Sequence, residues 1–218
     1  MKIRQCLSDV VYWSFQRGLF VIFHLFFRVR VTGLEHCPRA GPLLVVSNHL
    51  SEWDPPFVGT FLPWQVHWLA KVELFQLLDG WMNGFFRMLH CVPVDRSKAD
   101  FAAIKSVVRL LKDKRPVLVF AEGGVRTDHG SLLGSAPELK EGAASMAIMS
   151  QAPILPILLN GTIAAYHLKH WHLFRKRPLE IVIGPVFQIE GRERDEVTRQ
   201  IQARMLELKS KLEQQTPQ

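Results

Sequence analysis

Short apolar runs alternate with helical patterns along most of the chain, and turn-forming or charged residues separate them. The runs cover residues 43–46, 66–70, 91–94, 116–120, 154–159 and 179–183. Strands that alternate with helices favour an α/β fold, here a single-domain sandwich with a largely parallel sheet flanked by helices. The chain has 218 residues and no internal repeat or linker, so we expect one sizeable core.

The first 30 residues are predicted to form an N-terminal helical segment ahead of an α/β domain over residues 31–218. The segment is rich in Phe, Leu, Val and Ile, but a membrane-spanning helix needs about 20 mostly apolar residues. Basic residues interrupt it before that length is reached: Arg17, His24, Arg28 and Arg30. Two compatible interpretations stay open, an interfacial helix on an anionic membrane surface and a helix packed on its own domain's core.

The net charge of +7 indicates an anionic partner, which means nucleic acid, a phosphorylated substrate or acidic lipid. The chain carries no basic helix and no aromatic RNA-binding signature, so we expect no nucleic-acid partner. Cys6, Cys37 and Cys91 are odd in number and far apart, which favours a reducing compartment over a disulfide framework or a zinc site. We therefore expect a protein on the cytoplasmic face of a membrane, attached peripherally or monotopically.

The strand over residues 43–46 is followed by Asn48 and His49, and Asp54 comes five residues after His49. Asp54 precedes two prolines, a pattern typical of a helix start. On a continuous helix these two side chains would lie about 140° apart, so only a turn between them brings the carboxylate to the imidazole. Asp54 would then fix the His49 tautomer and leave the other ring nitrogen as a general base. The alternative is a loop histidine beside a helix cap.

Several other predicted strands also end in charged residues. Lys71 follows one strand, Asp95 and Arg96 another, and Glu122 and Arg126 a third. Sites in open α/β sheets gather outside the carboxyl ends of strands, so this pattern indicates a site for an anion. Residues 75–89 are dense in Phe, Trp, Leu and Met and are predicted to form an irregular apolar collar, either core or a pocket for an acyl chain.

These segments resemble the motifs of the glycerolipid acyltransferase family, which includes the lysophosphatidic acid acyltransferases. Residues 48–54 are similar to the first motif, His-x4-Asp, and the Lys-x-Glu-Leu that follows it matches residues 71–74. The second, third and fourth motifs resemble residues 92–96, 120–126 and 152–157 in the same order. Three positions depart from the pattern. His90 stands where Gly is usual, Ala121 replaces Pro, and Val125 is inserted ahead of Arg126, which leaves the aim of that arginine and the identity of the acceptor open.

The resemblance implies transfer of a fatty acyl group from acyl-CoA or acyl-carrier protein to the free hydroxyl of a lysophospholipid. The simplest acceptor is 1-acylglycerol-3-phosphate, which would give phosphatidic acid. An acyltransferase that uses another lysolipid or amphiphilic acceptor is the alternative of the same class. His49 would be the general base, Asp54 would orient it, and no cofactor beyond the acyl donor is expected. The chain has no Gly-x-Ser-x-Gly motif, so we expect no acyl-enzyme intermediate.

The substrate-binding residues follow from the same resemblance. The cations expected to bind the acceptor phosphate, with Asp95 and Glu122 as the only carboxylates seen to offset them, are Lys71, Arg96 and Arg126. Glu122 would hold the Gly-rich loop or accept a bond from the acceptor glycerol, and backbone N–H groups around Gly123 and Gly124 would stabilise the oxyanion. A non-catalytic protein that binds anionic lipid would explain the apolar surface, but it would not explain the His/Asp pair.

Overall fold

A computed structural model describes residues 2–77, 80–95 and 101–215. The described residues form a seven-stranded sheet in the order β1-β7-β6-β2-β5-β3-β4. Its strands are β1 Phe27–Thr32, β2 Leu44–Ser47, β3 His67–Lys71, β4 Cys91–Val94, β5 Val117–Phe120, β6 Ile154–Asn160 and β7 Arg177–Ile183. Neighbouring strands are parallel except β6 and β7. The predicted α/β fold with a largely parallel sheet is confirmed.

Helices cover both faces of this sheet. They are α1 Lys2–Phe26, α2 Asp54–Phe61, α3 Val72–Gln76, α4 Trp81–Met88, α5 Phe101–Lys112, α6 Gly142–Ser150, α7 Ile163–Tyr166 and α8 Arg194–Gln215. Apolar side chains of α1 and α2 share one core cluster with β3 and β7. A second cluster on the opposite face joins α5, α6 and α8 to β5 and β6. The sheet thus has a separate core on each side, as expected when both faces of a parallel sheet are covered.

The N-terminal helix α1 packs on the domain. Its residues Tyr12, Leu19 and Phe23 are buried, whereas the opposite face leaves Val10 and Val21 exposed. The boundary predicted after residue 30 differs from the structure, because β1 begins at Phe27 and pairs with β7 inside the sheet. No helix of the described part of the chain is long and apolar enough to cross a bilayer.

The apolar stretch over residues 75–89 is more regular than the predicted collar. Residues 81–88 form α4, an amphipathic helix whose start follows Gly80 in a left-handed conformation (φ +83°). Phe85 and Phe86 pack against the α1–α2 core cluster. Apolar residues here recur at three- and four-residue spacings, which is enough to place one face of a helix against the core.

Candidate active site

The sheet order brings the carboxyl ends of β2, β5 and β3 to one edge, because these three strands are adjacent and parallel. His49 follows β2, Glu122 follows β5 and Lys71 ends β3. These three predicted site residues therefore lie at the same edge of the sheet, as parallel strands require.

The turn between β2 and α2 carries the Asp54 carboxylate back to the imidazole. His49 Nδ1 lies 2.9 Å from Asp54 Oδ2, and the two side chains are 1% and 0% exposed. The same oxygen accepts the backbone N–H groups of Leu50 at 2.6 Å and Ser51 at 2.9 Å. Asp54 is thus the first residue of α2, and its carboxylate closes the preceding turn as well as contacting the imidazole. Three donors on one oxygen hold the carboxylate in a single position.

Two further contacts fix the strand end that carries His49. The Phe120 ring stacks on the imidazole with ring centroids 4.0 Å apart and planes at 16°. The Asn48 side chain donates to the Leu159 carbonyl at 3.0 Å and accepts the Leu159 N–H at 2.7 Å, which ties β2 to β6. Because a neutral imidazole donating from Nδ1 presents Nε2 as an acceptor, this arrangement holds a base at a fixed orientation.

Glu122 is a buried carboxylate whose two oxygens are both used inside the protein. Oε2 accepts the His49 N–H at 2.6 Å, and Oε1 accepts the Leu132 N–H at 2.6 Å and the Ser131 hydroxyl at 3.2 Å. Burial raises the pKa of the Glu122 carboxyl, while these three hydrogen bonds oppose that rise. Of the two roles predicted for Glu122, these contacts fit that of holding the loop.

The Gly-rich loop after β5 begins with Gly123 in the left-handed region at φ +75°. A side chain there would be strained, and its Cβ would lie 3.1 Å from Lys140 Cγ. The Gly123 N–H donates to the Phe120 carbonyl at 3.1 Å, so it is already used by the turn. Within the described residues the Gly124 N–H has no backbone acceptor, which leaves it as the candidate oxyanion donor of this loop.

The predicted phosphate-binding cations are more neutralised than the sequence indicated. Lys71 Nζ lies 2.9 Å from Glu52 Oε1. Arg126 Nε lies 3.3 Å from Asp128 Oδ1, and its Nη1 lies 3.5 Å from Glu138 Oε2. The expectation that only Asp95 and Glu122 offset these cations is therefore wrong, because the loops fold three other carboxylates onto them. The third cation, Arg96, lies outside the described residues.

Arg126 is nevertheless attached to the turn that carries His49, since its backbone N–H donates to the His49 carbonyl at 2.8 Å. Its side chain is 23% exposed and points to the loop that follows. With Val125 ahead of it, Arg126 keeps its backbone contact to His49, while its guanidinium meets Asp128 and Glu138. Its carboxylate partners Asp128 and Glu138 had no signal in the sequence, because their approach depends on the path of an irregular loop.

An apolar cavity of about 160 Å³ opens beside His49. Its lining includes Trp68, Phe85, Phe86 and Leu89, with Lys71 and Glu52 among the polar members. Part of the apolar stretch over residues 75–89 therefore lines a pocket next to the candidate base and also supports the core, two roles between which the sequence could not decide.

A family model described as acyltransferase matches residues 28–160 of the chain. The 1-acyl-sn-glycerol-3-phosphate acyltransferase of Bacillus subtilis (strain 168) is 32% identical over 205 residues, which are 90% of this chain and 96% of that protein. The 1-acyl-sn-glycerol-3-phosphate acyltransferase alpha of Homo sapiens is 31% identical over 177 residues. Those residues are 78% of this chain and 58% of the longer human protein.

The chain is also similar to a solved structure, the 1-acyl-sn-glycerophosphate (LPA) acyltransferase PlsC from Thermotoga maritima. The TM-score is 0.74 at 21% identity, and the match covers 100% of this chain and 84% of that one. This likeness shows a shared fold. Because the family model spans most of the chain and a relative is matched over nearly its full length, the chain belongs to the acyltransferase family.

Proposed function

We propose that this protein transfers a fatty acyl group from acyl-CoA or acyl-carrier protein to the free hydroxyl of 1-acylglycerol-3-phosphate, giving phosphatidic acid. The observation that carries the proposal is the His49–Asp54 pair, which is fixed at 2.9 Å and opens onto an apolar cavity. The names of the Bacillus and human relatives supply the acceptor. The reaction requires no resident cofactor, since the thioester is itself the activated donor.

The mechanism follows from the fixed tautomer of His49. Its Nδ1–H donates to Asp54, and Nε2 takes the proton of the acceptor hydroxyl as that oxygen attacks the thioester carbonyl carbon. Asp54 stabilises the imidazolium that forms. The tetrahedral intermediate then collapses with cleavage of the C–S bond, and the imidazolium returns its proton to the departing thiolate. The Gly124 N–H is the proposed donor to the oxyanion.

Each substrate has a matching surface near His49. The cavity lined by Trp68, Phe85 and Phe86 suits an acyl chain, because its walls are apolar and it begins at the base. Lys71, Arg96 and Arg126 are proposed to bind the acceptor phosphate. A phosphate dianion must displace Asp128 and Glu138 from Arg126, and it forms stronger charge-assisted bonds than a carboxylate pair held at 3.3 and 3.5 Å.

A second candidate acceptor is favoured by the same ion pairs. Because Lys71 and Arg126 already face carboxylates, an amphiphilic alcohol without a phosphate would leave neither cation unpaired. The chemistry at His49 would be the same with either acceptor.

We also propose that the protein works at the cytoplasmic surface of a membrane, to which the exposed face of α1 binds peripherally. Val10, Val21 and Leu25 lie on that face, and the chain has an excess of positive charge. Apolar insertion and attraction to anionic lipid add in such attachment. The lipid acceptor would then be taken directly from the bilayer.

The proposal is tested by assaying the purified protein with acyl-CoA and three acceptors: lysophosphatidic acid, monoacylglycerol and lysophosphatidylcholine. We expect kcat/KM to favour lysophosphatidic acid by on the order of a hundredfold or more. Arg126→Ala and Arg96→Ala should lose activity selectively with the phosphate acceptor. Arg199→Ala, which removes an exposed arginine from α8 on the opposite face, is the matched control.

Two outcomes would contradict this assignment. Equal use of all three acceptors would remove the phosphate from the proposal and favour the second candidate. Arginine variants that lose nothing selectively with lysophosphatidic acid would show that these cations do not bind the phosphate.

A further inference from the structure

The loop between α7 and β7 takes no part in the proposed reaction. Residues 167–176, here called the basic loop, contain three histidines and the cations Lys169, Arg175 and Lys176. There is no Asp or Glu between residues 166 and 178. The loop thus concentrates positive charge and apolar side chains in one short segment.

Two residues of the basic loop, Trp171 and Lys176, attach it to the rest of the fold. The Trp171 ring lies 5.3 Å from Phe26, 5.4 Å from Phe27 and 6.1 Å from Trp53. Its indole N–H donates to the Ala165 carbonyl at 3.0 Å. Lys176 Nζ donates to the His24 carbonyl at 2.7 Å, near the carboxyl end of α1. These contacts hold the loop against the end of α1.

The tip of the basic loop, Leu173 and Phe174, is exposed to solvent. Phe174 is 98% exposed and Leu173 is 47% exposed. Arg175 and His172 flank these two side chains and are also exposed. Leaving a phenylalanine in water forgoes roughly 1.5–3 kcal/mol of burial. The basic loop is held on both sides of its tip and exposes Phe174 there, so this tip is suited to insertion into an apolar environment.

The exposed face of α1 is a second apolar surface of the molecule. Leu7, Val10, Val21 and Leu25 are 45–63% exposed. Their spacing places them within about 60° of one another around the helix. Lys176 holds the basic loop on the last turn of α1, the turn that carries Leu25 of this face.

We propose that the basic loop is a second attachment point to an anionic bilayer, with Phe174 and Leu173 inserted among the lipids and Lys169 and Arg175 bound to their headgroups. This inference rests on the proposed membrane attachment through α1 and names a separate element that strengthens it. An anionic lipid surface fits better than a folded protein partner. The loop offers an exposed apolar tip with cations around it, and peripheral membrane binding combines these two features.

The test is sedimentation of the full chain with vesicles of phosphatidylcholine, with or without phosphatidylglycerol. Phe174→Ser should lower partitioning onto both kinds of vesicle by about tenfold, because it removes the inserted ring. Arg175→Ala should lower partitioning by about fivefold on the anionic vesicles only. Met149→Ser, which changes an exposed side chain on α6 at the opposite face of the sheet, is the matched control and should leave partitioning unchanged.

Activity separates this inference from the proposed function. With a short-chain acceptor dispersed below its aggregation concentration, Phe174→Ser should turn over like the wild type, whereas turnover of vesicle-embedded acceptor should fall. Unchanged partitioning of Phe174→Ser and Arg175→Ala would overturn the inference. Equal loss with dispersed and embedded acceptor would also overturn it, since the loop would then serve the catalytic domain. A wild type that binds vesicles but transfers no acyl group would contradict only the proposed function.

Discussion

Two buried histidine environments in this molecule differ in what faces the ring. The His49 imidazole is 1% exposed and meets the Asp54 carboxylate at 2.9 Å. The His67 and His90 rings stack on each other with centroids 4.6 Å apart. Tyr12 stacks on the other side of His90 at 5.1 Å. Among the described residues, neither His67 Nδ1 nor His90 Nδ1 has a hydrogen-bond partner.

The comparison shows that the partner of a buried histidine, more than its burial, decides what it can do. Burial lowers the pKa of His67 to about 3, and the nearby charges of His90 and Arg115 push it in the same direction. The pKa of His90 is lowered as well, by burial first and then by Arg115, against an opposing effect of Asp9. Both rings are therefore uncharged at neutral pH and pack in the core as aromatic side chains. His49 has a carboxylate that can stabilise an imidazolium, and this is what a general base requires.

The largest effect is expected for His49→Ala. We expect kcat to fall by about 10² to 10⁴, because proton removal from the acceptor is lost while the fold is kept. The counterpart is His67→Phe, which retains a stacked ring and should retain turnover. Steady-state kinetics and thermal unfolding of both variants provide the check. Near-normal turnover by a folded His49→Ala protein would exclude the base assignment.

Asp54→Asn removes the feature that distinguishes the two environments. The amide oxygen can still accept a backbone N–H, so the turn should survive, but the imidazolium loses its counter-charge and the tautomer is no longer fixed. We expect a decrease in kcat of about a hundredfold, on the scale of losing general acid–base assistance. Kinetics with saturating lysophosphatidic acid measure it. A loss confined to KM would place Asp54 in acceptor binding instead.

The His67–His90 stack makes a smaller prediction about acid stability. The pKa of His67 is lower in the folded state, about 3, than its ordinary value of 6.5, so the unfolded chain binds the proton first. The stabilising contribution is therefore complete above pH 6.5 and is lost as the pH falls towards 3. The free energy of unfolding should decrease by up to about 1.4 kcal/mol per pH unit from this group.

Urea unfolding of the wild type and of His67→Phe across that pH range provides the measurement. His67→Phe should show a flatter dependence, whereas His172→Phe, a change at an exposed histidine, should follow the wild type. If the free energy of unfolding fell equally with pH for the wild type and His67→Phe, the folded protein would protonate His67 over the same pH range as the unfolded chain, which would contradict the lowered pKa.

The sequence was most informative where local rules determine position. Apolar runs placed His49, Lys71 and Glu122 at strand ends, and parallel pairing then brought those ends to one edge. The contact between His49 and Asp54 was one of two interpretations that the local sequence left open, since a carboxylate five residues away can reach the ring only through a turn; the structure shows that contact at 2.9 Å. His90 stands where the family pattern usually has Gly, and its backbone adopts φ +62°, a region that glycine enters most easily. The usual glycine at this position therefore matches the backbone conformation.

Contacts made by irregular segments could not be predicted. Glu52 meets Lys71 across 19 positions in the chain, and Asp128 and Glu138 close on Arg126 from a loop without a repeating pattern. The regular helix at residues 81–88 was missed because its apolar residues are so dense that the polar face is hard to recognise. The stacking of Phe120 on His49 likewise depends on the pairing of β2 with β5.

Loss of activity in His49→Ala would fit a histidine nucleophile as well as a base, and a search for an acylated protein intermediate distinguishes the two roles. The protein is mixed rapidly with acyl-CoA in the absence of acceptor, and free CoA and intact protein mass are followed. Direct attack by the acceptor on a base-assisted path predicts no stoichiometric burst of CoA and no acylated protein, with CoA release beginning only when lysophosphatidic acid is added. A burst of CoA accompanied by a mass gain of one acyl group would contradict the assignment of His49 as the base for direct transfer.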